Sequence, residues 1–362
     1  MRDGFGRIIH YARLSVTDRC SLRCRYCMPE TGGPWLDRLL TDGELLGVCQ
    51  CLASLGVTRF RVTGGEPLCR PGLAGLIGAV KSIPGVETVS ITTNGVELAA
   101  RLSALLDAGV DGVNLSLDTL DRDRFREITR RDALGNVLAG LHAALDCPGL
   151  NLKINCVAAP GREQDWIELA SLARERRVAV RFIEPMPIGP GALLPPCTEA
   201  EVLSALEAAF GPAVPMKIGQ APDENAVRDS GDVQDSGEMK NRETVESAES
   251  AEDMTEENPD GVPPGSGPAR YVSFPGFAGK IGFISPVSRP FCAACNRVRV
   301  TADGFLRTCL YAPDGLDLVP LLSGPEEVLR LAILEAVARK PKGHRFAQGV
   351  PVREARMNRI GG

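Results

Sequence analysis

Six short apolar runs, most of them followed by a helical pattern, set what this chain can fold into. The runs lie near Leu14–Val16, Arg59–Val62, Thr88–Thr92, Gly112–Leu117, Leu152–Val157 and Val178–Ile183. Helical periodicity occupies Asp42–Ala53, Leu98–Ala108, Val137–Ala144 and Gln164–Arg176, and Ser, Thr or Asp residues stand before several of these as helix-start signals. Strand and helix in alternation argue an α/β fold with a parallel sheet and right-handed crossovers. In such folds functional groups gather beyond the C-terminal ends of the strands. Gly64-Gly65-Glu66, Thr92 to Asn94, Ser116 and Glu184 to Met186 all follow apolar runs and are expected there.

Cysteine spacing narrows the chemistry. Cys20-x3-Cys24-x2-Cys27 follows the first apolar run, and no further Cys or His stands close by, His10 being the nearest His. Three thiolates can hold three irons of a [4Fe–4S] cluster and leave the fourth iron open to a small molecule, whereas four cysteines usually make an electron carrier. Structural zinc normally takes four protein ligands, so zinc or three unrelated buried thiols are the alternatives. Near the other end, Cys292-x2-Cys295-x13-Cys309 again offers three ligands without a neighbouring fourth. A second open cluster is the direct reading, and zinc completed by a distant ligand is the alternative.

Cys-x3-Cys-x2-Cys followed by Thr63-Gly64-Gly65-Glu66-Pro67 resembles the radical S-adenosylmethionine (SAM) enzymes. The resemblance implies that the open iron chelates the amino and carboxylate groups of SAM and that the reduced cluster cleaves it to a 5′-deoxyadenosyl radical. It places Tyr26 at the adenine, Gly65 and Glu66 at the methionine end, and Ser116 and Met186 along the same site. With six strand–helix units it implies a partial (β/α)6 barrel of the TIM-like, radical SAM type, with a C-terminal region carrying the second cluster.

The segments GFISPVS, CNRVR, TADG and LRTCL, and the Gly361-Gly362 pair, are similar to those of the GTP 3′,8-cyclases, the family that opens molybdenum-cofactor biosynthesis. The likeness runs from about Tyr11 to Gly362. It implies hydrogen abstraction from C3′ of GTP, attack on C8 of the guanine, and formation of 3′,8-cyclo-7,8-dihydro-GTP. The GTP ligands it implies are Arg13, Arg61, Thr92, Lys153, Arg297, Val298 and Arg299, with Arg181 a weaker candidate and the second cluster at the guanine. Guanidinium groups suit phosphate because they donate in a planar fork. Surface ion pairs are the bland reading of Arg13 and Arg61, but Arg297 and Arg299 alternate at period two and so share one face of a strand. No Gly-x4-Gly-Lys-Ser/Thr loop offers another phosphate cradle. Gly361 and Gly362 are expected to enter the active site and assist the reaction.

Charge supports an anionic small-molecule substrate. The formal net charge is −5, but residues 223–260 hold fourteen acidic and three basic residues, and the remainder carries 38 basic against 32 acidic. No basic cluster interleaved with aromatics suggests nucleic acid. From about Gly219 to Pro268 the chain lacks aromatics and is rich in Asp, Glu, Ser, Gly and Pro, a composition that cannot bury enough apolar surface to order itself. The expected organisation is therefore a barrel over 1–218, an acidic disordered insertion over 219–268, and a cluster region with the Gly-Gly tail over 269–362. No apolar run approaches a membrane span and no signal peptide is evident. A cytoplasmic enzyme with reduced cysteines, a low-potential electron donor and, by resemblance, a homodimeric state is expected. A two-cluster radical SAM enzyme acting on a peptide, or a non-catalytic Fe–S or zinc protein, are the rival readings.

Overall fold

A computed structural model of the chain describes residues 1–216, 268–312, 315–348, 352 and 357–360. The expected acidic insertion lies, apart from Pro268, outside the described residues.

Twelve strands form one sheet: β1 (Tyr11–Ser15), β2 (Arg59–Thr63), β3 (Thr88–Thr93), β4 (Gly112–Ser116), β5 (Asn151–Val157), β6 (Ala179–Ile183), β7 (Val214–Pro215), β8 (Arg270–Ser273), β9 (Lys280–Ile284), β10 (Arg297–Val300), β11 (Phe305–Arg307) and β12 (Leu316–Asp317). Their order is β12-β11-β10-β1-β2-β3-β4-β5-β6-β9-β8-β7. Strands β1 to β6 are parallel and in sequence order, as the alternation predicts. The chain after residue 268 does not stand apart from them. It adds β10 parallel to β1 at one edge and β9 parallel to β6 at the other, so eight parallel strands run side by side.

Helices cover the outer face. The first, α1 (Asp42–Ser54), starts on a capping box in which the Thr41 side chain accepts from the Glu44 N–H and the Glu44 carboxylate accepts from the Thr41 N–H. Such reciprocal caps satisfy backbone donors that a helix start leaves bare. Thr198 and Glu201 repeat the device before the helix Glu199–Phe210. Strand residues facing this layer are apolar throughout, among them Leu14, Phe60, Val62, Val89, Ile91, Val113, Leu115, Ile154, Val180, Phe182, Ile281 and Val300, all essentially buried. This layer holds the fold together, each such side chain contributing about 1.5–3 kcal/mol of burial.

The inner face is different. Parallel sheets usually carry apolar side chains on both faces. Here the alternate positions read Tyr11, Arg13, Ser15; Arg61, Thr63; Ser90, Thr92; Asn114, Ser116; Lys153, Asn155; Arg181; Arg297, Arg299. Period two places them together opposite the apolar row. A polar, strongly cationic interior is therefore written into the strands themselves.

Candidate functional site

Register brings the cations side by side. Arg13 pairs with Arg299 on one side and with Arg61 on the other, so three guanidinium-bearing residues cross β10, β1 and β2 in one row. Arg61 donates to Ser90 Oγ at 3.2 Å and stacks over the Tyr11 ring, which Arg297 also approaches. Across the chamber Arg181, 4 % exposed, donates to Asn155 Oδ1 at 2.8 Å and Asn114 Oδ1 at 2.6 Å. Lys153 pairs with Asn114 in the register, on the same face of β5 as Asn155.

These cations strain one another. Burial, reinforced by Arg181, Arg61 and Lys280, drives the Lys153 ammonium down to about 6. Burial and Arg297 lower Arg299 to about 10, and burial with Arg299 holds Arg13 well below its ordinary value. Burial alone would raise the Tyr11 phenol, but Arg61, Arg13, Arg297 and Arg299 outweigh it and bring it down. Buried Tyr11 OH, Thr92 Oγ1 and Arg297 Nε find no hydrogen-bond partner among the described residues. A pocket of mutually repelling cations with orphaned polar atoms fits a polyanion, which would supply hydrogen-bond partners to those atoms. Of the residues expected to hold such a ligand, Arg13, Arg61, Thr92, Lys153, Arg297 and Arg299 line this face. Val298 does not: its side chain points to the opposite face, fully buried in the apolar layer, leaving only its main chain to face a ligand.

The N-terminal cysteines occupy the loop leaving β1. Gly64 and Gly65, at the end of β2, press against that loop's backbone. Gly65 N–H donates to Thr17 O and Glu66 N–H to Arg19 O, both at 2.7 Å. A Cβ on Gly64 (φ 151°) would meet Thr17 O at 2.4 Å, and one on Gly65 would meet Arg19 O at 2.3 Å. In this structure the glycines thus serve the close approach of two backbones. Glu66, 1 % exposed, accepts from the Leu68 N–H (3.0 Å), the Thr93 hydroxyl (2.7 Å) and the Asn94 N–H (2.6 Å). Burial nevertheless lifts its carboxyl to about 7, because those three donors compensate desolvation only in part.

Tyr26 donates its hydroxyl to Asp118 Oδ2 at 2.7 Å, and Asp118 Oδ1 accepts from the Val157 N–H at 2.8 Å. One carboxylate thus ties the cysteine loop to the ends of β4 and β5. Burial raises the Asp118 pKa, and burial with Asp118 raises that of Tyr26. Leu22, Cys24, Tyr26, Asn94, Ser116 and Asp118 line one small cavity. Met186 packs on the separate cluster of Ile188, Phe346 and Ile360.

The thiols themselves are in tension. Burial, Glu66 and Cys27 push Cys20 up to about 12, burial pushes Cys27 up to about 12, and burial with Cys27 and Asp118 pushes Cys24 further. Bound iron reverses this, since a coordinated thiol loses its proton outright. Outer-shell donors of the kind that tune clusters are present. Asn94 Nδ2 lies 3.6 Å from Cys20 Sγ, and the Asn358 N–H faces Cys27. The C-terminal set is cationic by contrast: burial opposes the Cys295 thiolate, but Lys340, the Arg297 N–H and the Arg297 charge outweigh it. Among the described residues no three His, Cys, Asp or Glu side chains converge as the ligands of a single ion would. A tetrahedral zinc with bonds of about 2.3 Å needs sulfurs about 3.8 Å apart, whereas a cube puts each thiolate on its own iron. Three thiolates in each set are the donor set of a cube with one open iron, each thiolate on its own iron.

The segment Met357–Ile360 closes the chamber. Asn358 Nδ2 donates to Asp18 O at 3.1 Å, and Arg299 Nη1 donates to Ile360 O at 3.4 Å. Gly361 and Gly362 lie outside the described residues. Asp118, Asn358 and Lys340 were not singled out from the sequence, and Asn94 was expected at its strand end without an assigned role. Asp118 alone carried a signal, standing two residues beyond Ser116 past the same strand end.

Comparison with known proteins places this arrangement. The model of the radical SAM superfamily matches residues 14–173, and that named Molybdenum Cofactor Synthesis C matches residues 227–346. The chain is 39 % identical to the GTP 3′,8-cyclase of Pelotomaculum thermopropionicum and 38 % identical to that of Moorella thermoacetica, each alignment covering 100 % of both chains. Among solved structures it has a weaker likeness to HydG, a maturase of the [FeFe]-hydrogenase (16 % identity, TM-score 0.43, 56 % of this chain and 50 % of that one).

Proposed function

The chain belongs to the GTP 3′,8-cyclase family of the radical SAM superfamily, and from that premise we propose how its own residues divide the work. The activity is the cyclisation of GTP to 3′,8-cyclo-7,8-dihydro-GTP, the first step of molybdenum cofactor biosynthesis, with SAM and two [4Fe–4S] clusters. When bound, the N-terminal cluster and SAM supply hydrogen-atom abstraction.

Cys20, Cys24 and Cys27 hold the first cluster; Cys292, Cys295 and Cys309 hold the second. Tyr26, fixed by Asp118, lies along the adenine with Ser116 and Met186. Glu66 and the Gly65 backbone would take the methionine end, where Glu66, its carboxyl raised by burial, would accept from the amino group. Arg13, Arg61, Lys153, Arg297 and Arg299, with Thr92, take the triphosphate. Holding the reacting atoms at about 3–3.5 Å is what makes hydrogen abstraction selective. The 357–360 segment screens the chamber from water, and Gly361 and Gly362 continue from Ile360, whose carbonyl lies on Arg299.

The observation that carries this reading is the row of mutually repelling cations on the inner sheet face. It supports a polyphosphate substrate over a peptide. The exposed Val328 and Leu331, three residues apart on one helix, offer an apolar stripe to a second copy, in keeping with a homodimer. Six cysteines assigned to clusters suit a reducing, cytoplasmic setting and a low-potential reductant. No helix among the described residues is long and apolar enough to cross a membrane. The test is anaerobic: reduced, iron-loaded protein with SAM and either GTP, ATP or no nucleotide. A new cyclised product with GTP alone is expected. SAM cleavage indifferent to GTP would remove the substrate assignment.

A further inference from the structure

The segment Lys340–Gly343, just beyond the helix Glu326–Ala338, wraps the C-terminal cysteines, and the reaction as described does not use it. Lys340 is 2 % exposed. Its ammonium donates to Arg297 O at 3.0 Å and to Thr308 O. Those carbonyls flank the cysteine set: Arg297 stands two residues after Cys295, and Thr308 directly precedes Cys309. Those two carbonyls set the ammonium beside the chain at Cys295 and Cys309. Three residues on, Gly343 packs on Cys292 so tightly that a Cβ would sit 3.3 Å from Cys292 Cβ and 3.4 Å from its Sγ. Arg7 fastens the arrangement. Its Nη1 donates to Cys292 O (2.7 Å) and Lys342 O (3.0 Å), its Nη2 to Pro341 O (2.7 Å), and Asp3 holds its Nε at 2.5 Å.

A buried ammonium is costly unless negative charge balances it. Two carbonyls bring dipoles but no charge, and they set the ammonium beside the C-terminal cysteine set. We propose that Lys340 is the counter-charge of the C-terminal cluster: a positioning residue that donates to Cys295, favours the reduced cluster, and through the Arg297 carbonyl fixes where β10 presents Arg297 and Arg299. The inference rests on Cys292, Cys295 and Cys309 holding a cluster. Reduction adds a negative charge, so a fixed cation beside the sulfurs raises the reduction potential.

The experiment uses the full chain with Cys20, Cys24 and Cys27 changed to Ala, so that one cluster remains, with circular dichroism matched to the parent. Iron and sulfide content of this protein tests the cluster itself: none bound would remove the premise and the proposal with it. An EPR-monitored redox titration then compares Lys340, Lys340→Gln and Lys340→Arg. Lys340→Gln keeps N–H donors without the charge and is expected to shift the midpoint to lower potential, with Lys340→Arg near the parent. An unchanged midpoint in Lys340→Gln at full iron content would overturn the proposal. Cluster loss in Lys340→Gln but not in Lys340→Arg supports it, while loss in both would assign Lys340 to packing alone. Independently of any Lys340 variant, ¹⁵N-lysine labelling should give a weak ¹⁵N coupling in the pulsed EPR of the reduced cluster, and its absence would also overturn the assignment.

Discussion

Around the N-terminal cysteines the neighbouring charge is acidic: Glu66 and Asp118 stand close, and the thiols are pushed up. Around the C-terminal set it is basic, with Lys340 and Arg297 against Cys295 and the arginine row of β10, β1 and β2 beside it. The two ligands of the reaction differ in the same sense. SAM brings a sulfonium; GTP brings a triphosphate. In the proposed reading, one chamber would sort a cationic cofactor from an anionic substrate by where its charges lie.

The largest effects should come from removing one end and sparing the other. Cys24→Ala is expected to abolish 5′-deoxyadenosine formation altogether. Cys295→Ala should keep SAM cleavage while losing the cyclised product, as product analysis by liquid chromatography would show. If both variants lose SAM cleavage equally, the two ends are not separable as described.

Next in size is the arginine row. Arg299→Ala removes a charge-assisted contact of about 1.5–3 kcal/mol, or about 10- to 150-fold in GTP affinity, with SAM affinity unaltered. Calorimetric titration of each ligand measures both.

The comparison also predicts opposite pH responses. Lys153 titrates at about 6, and triphosphate would draw it upward, so GTP binding takes up a proton and strengthens as pH falls from 8 towards 6. Glu66 titrates at about 7, and an amino group held on the iron would donate to its ionised form, so SAM binding releases a proton and strengthens as pH rises through 7. Each slope is bounded at about tenfold per pH unit. Lys153→Arg should flatten the first profile and Glu66→Gln the second. Parallel profiles for the two ligands would break the electrostatic division.

The smallest effect contrasts neighbours on one strand. Val298→Ala trims a side chain of the apolar face and should cost about 1.5–3 kcal/mol of stability while leaving GTP affinity intact. Thermal melts beside the titrations of Arg299→Ala would separate the two faces.

What could be read from the chain follows the same division. Period-two and period-3.6 patterns are local, so the six central strands and the face carrying Arg297 and Arg299 were legible in the sequence. The cysteine sets were legible because ligand spacing is local too. Parallel pairing of β10 with β1 joins residues nearly 290 positions apart and leaves no local trace, which is why the C-terminal region's place at both sheet edges emerged only in three dimensions. The packing of Gly64 and Gly65 against Thr17 and Arg19 is likewise a long-range contact. Val298 lay inside a motif whose neighbours line the chamber, and only the alternation of the strand turns it away. Lys340 and Asp118 act through partners remote in sequence, and single residues of that kind carry no pattern.

The central claim is that both ends open on one chamber in which the cofactor's reactive carbon meets the ribose of GTP. GTP deuterated at C3′ tests it in a single turnover with reduced enzyme and SAM. Deuterium should appear in 5′-deoxyadenosine together with the cyclised nucleotide. Unlabelled 5′-deoxyadenosine formed while GTP is consumed would contradict it.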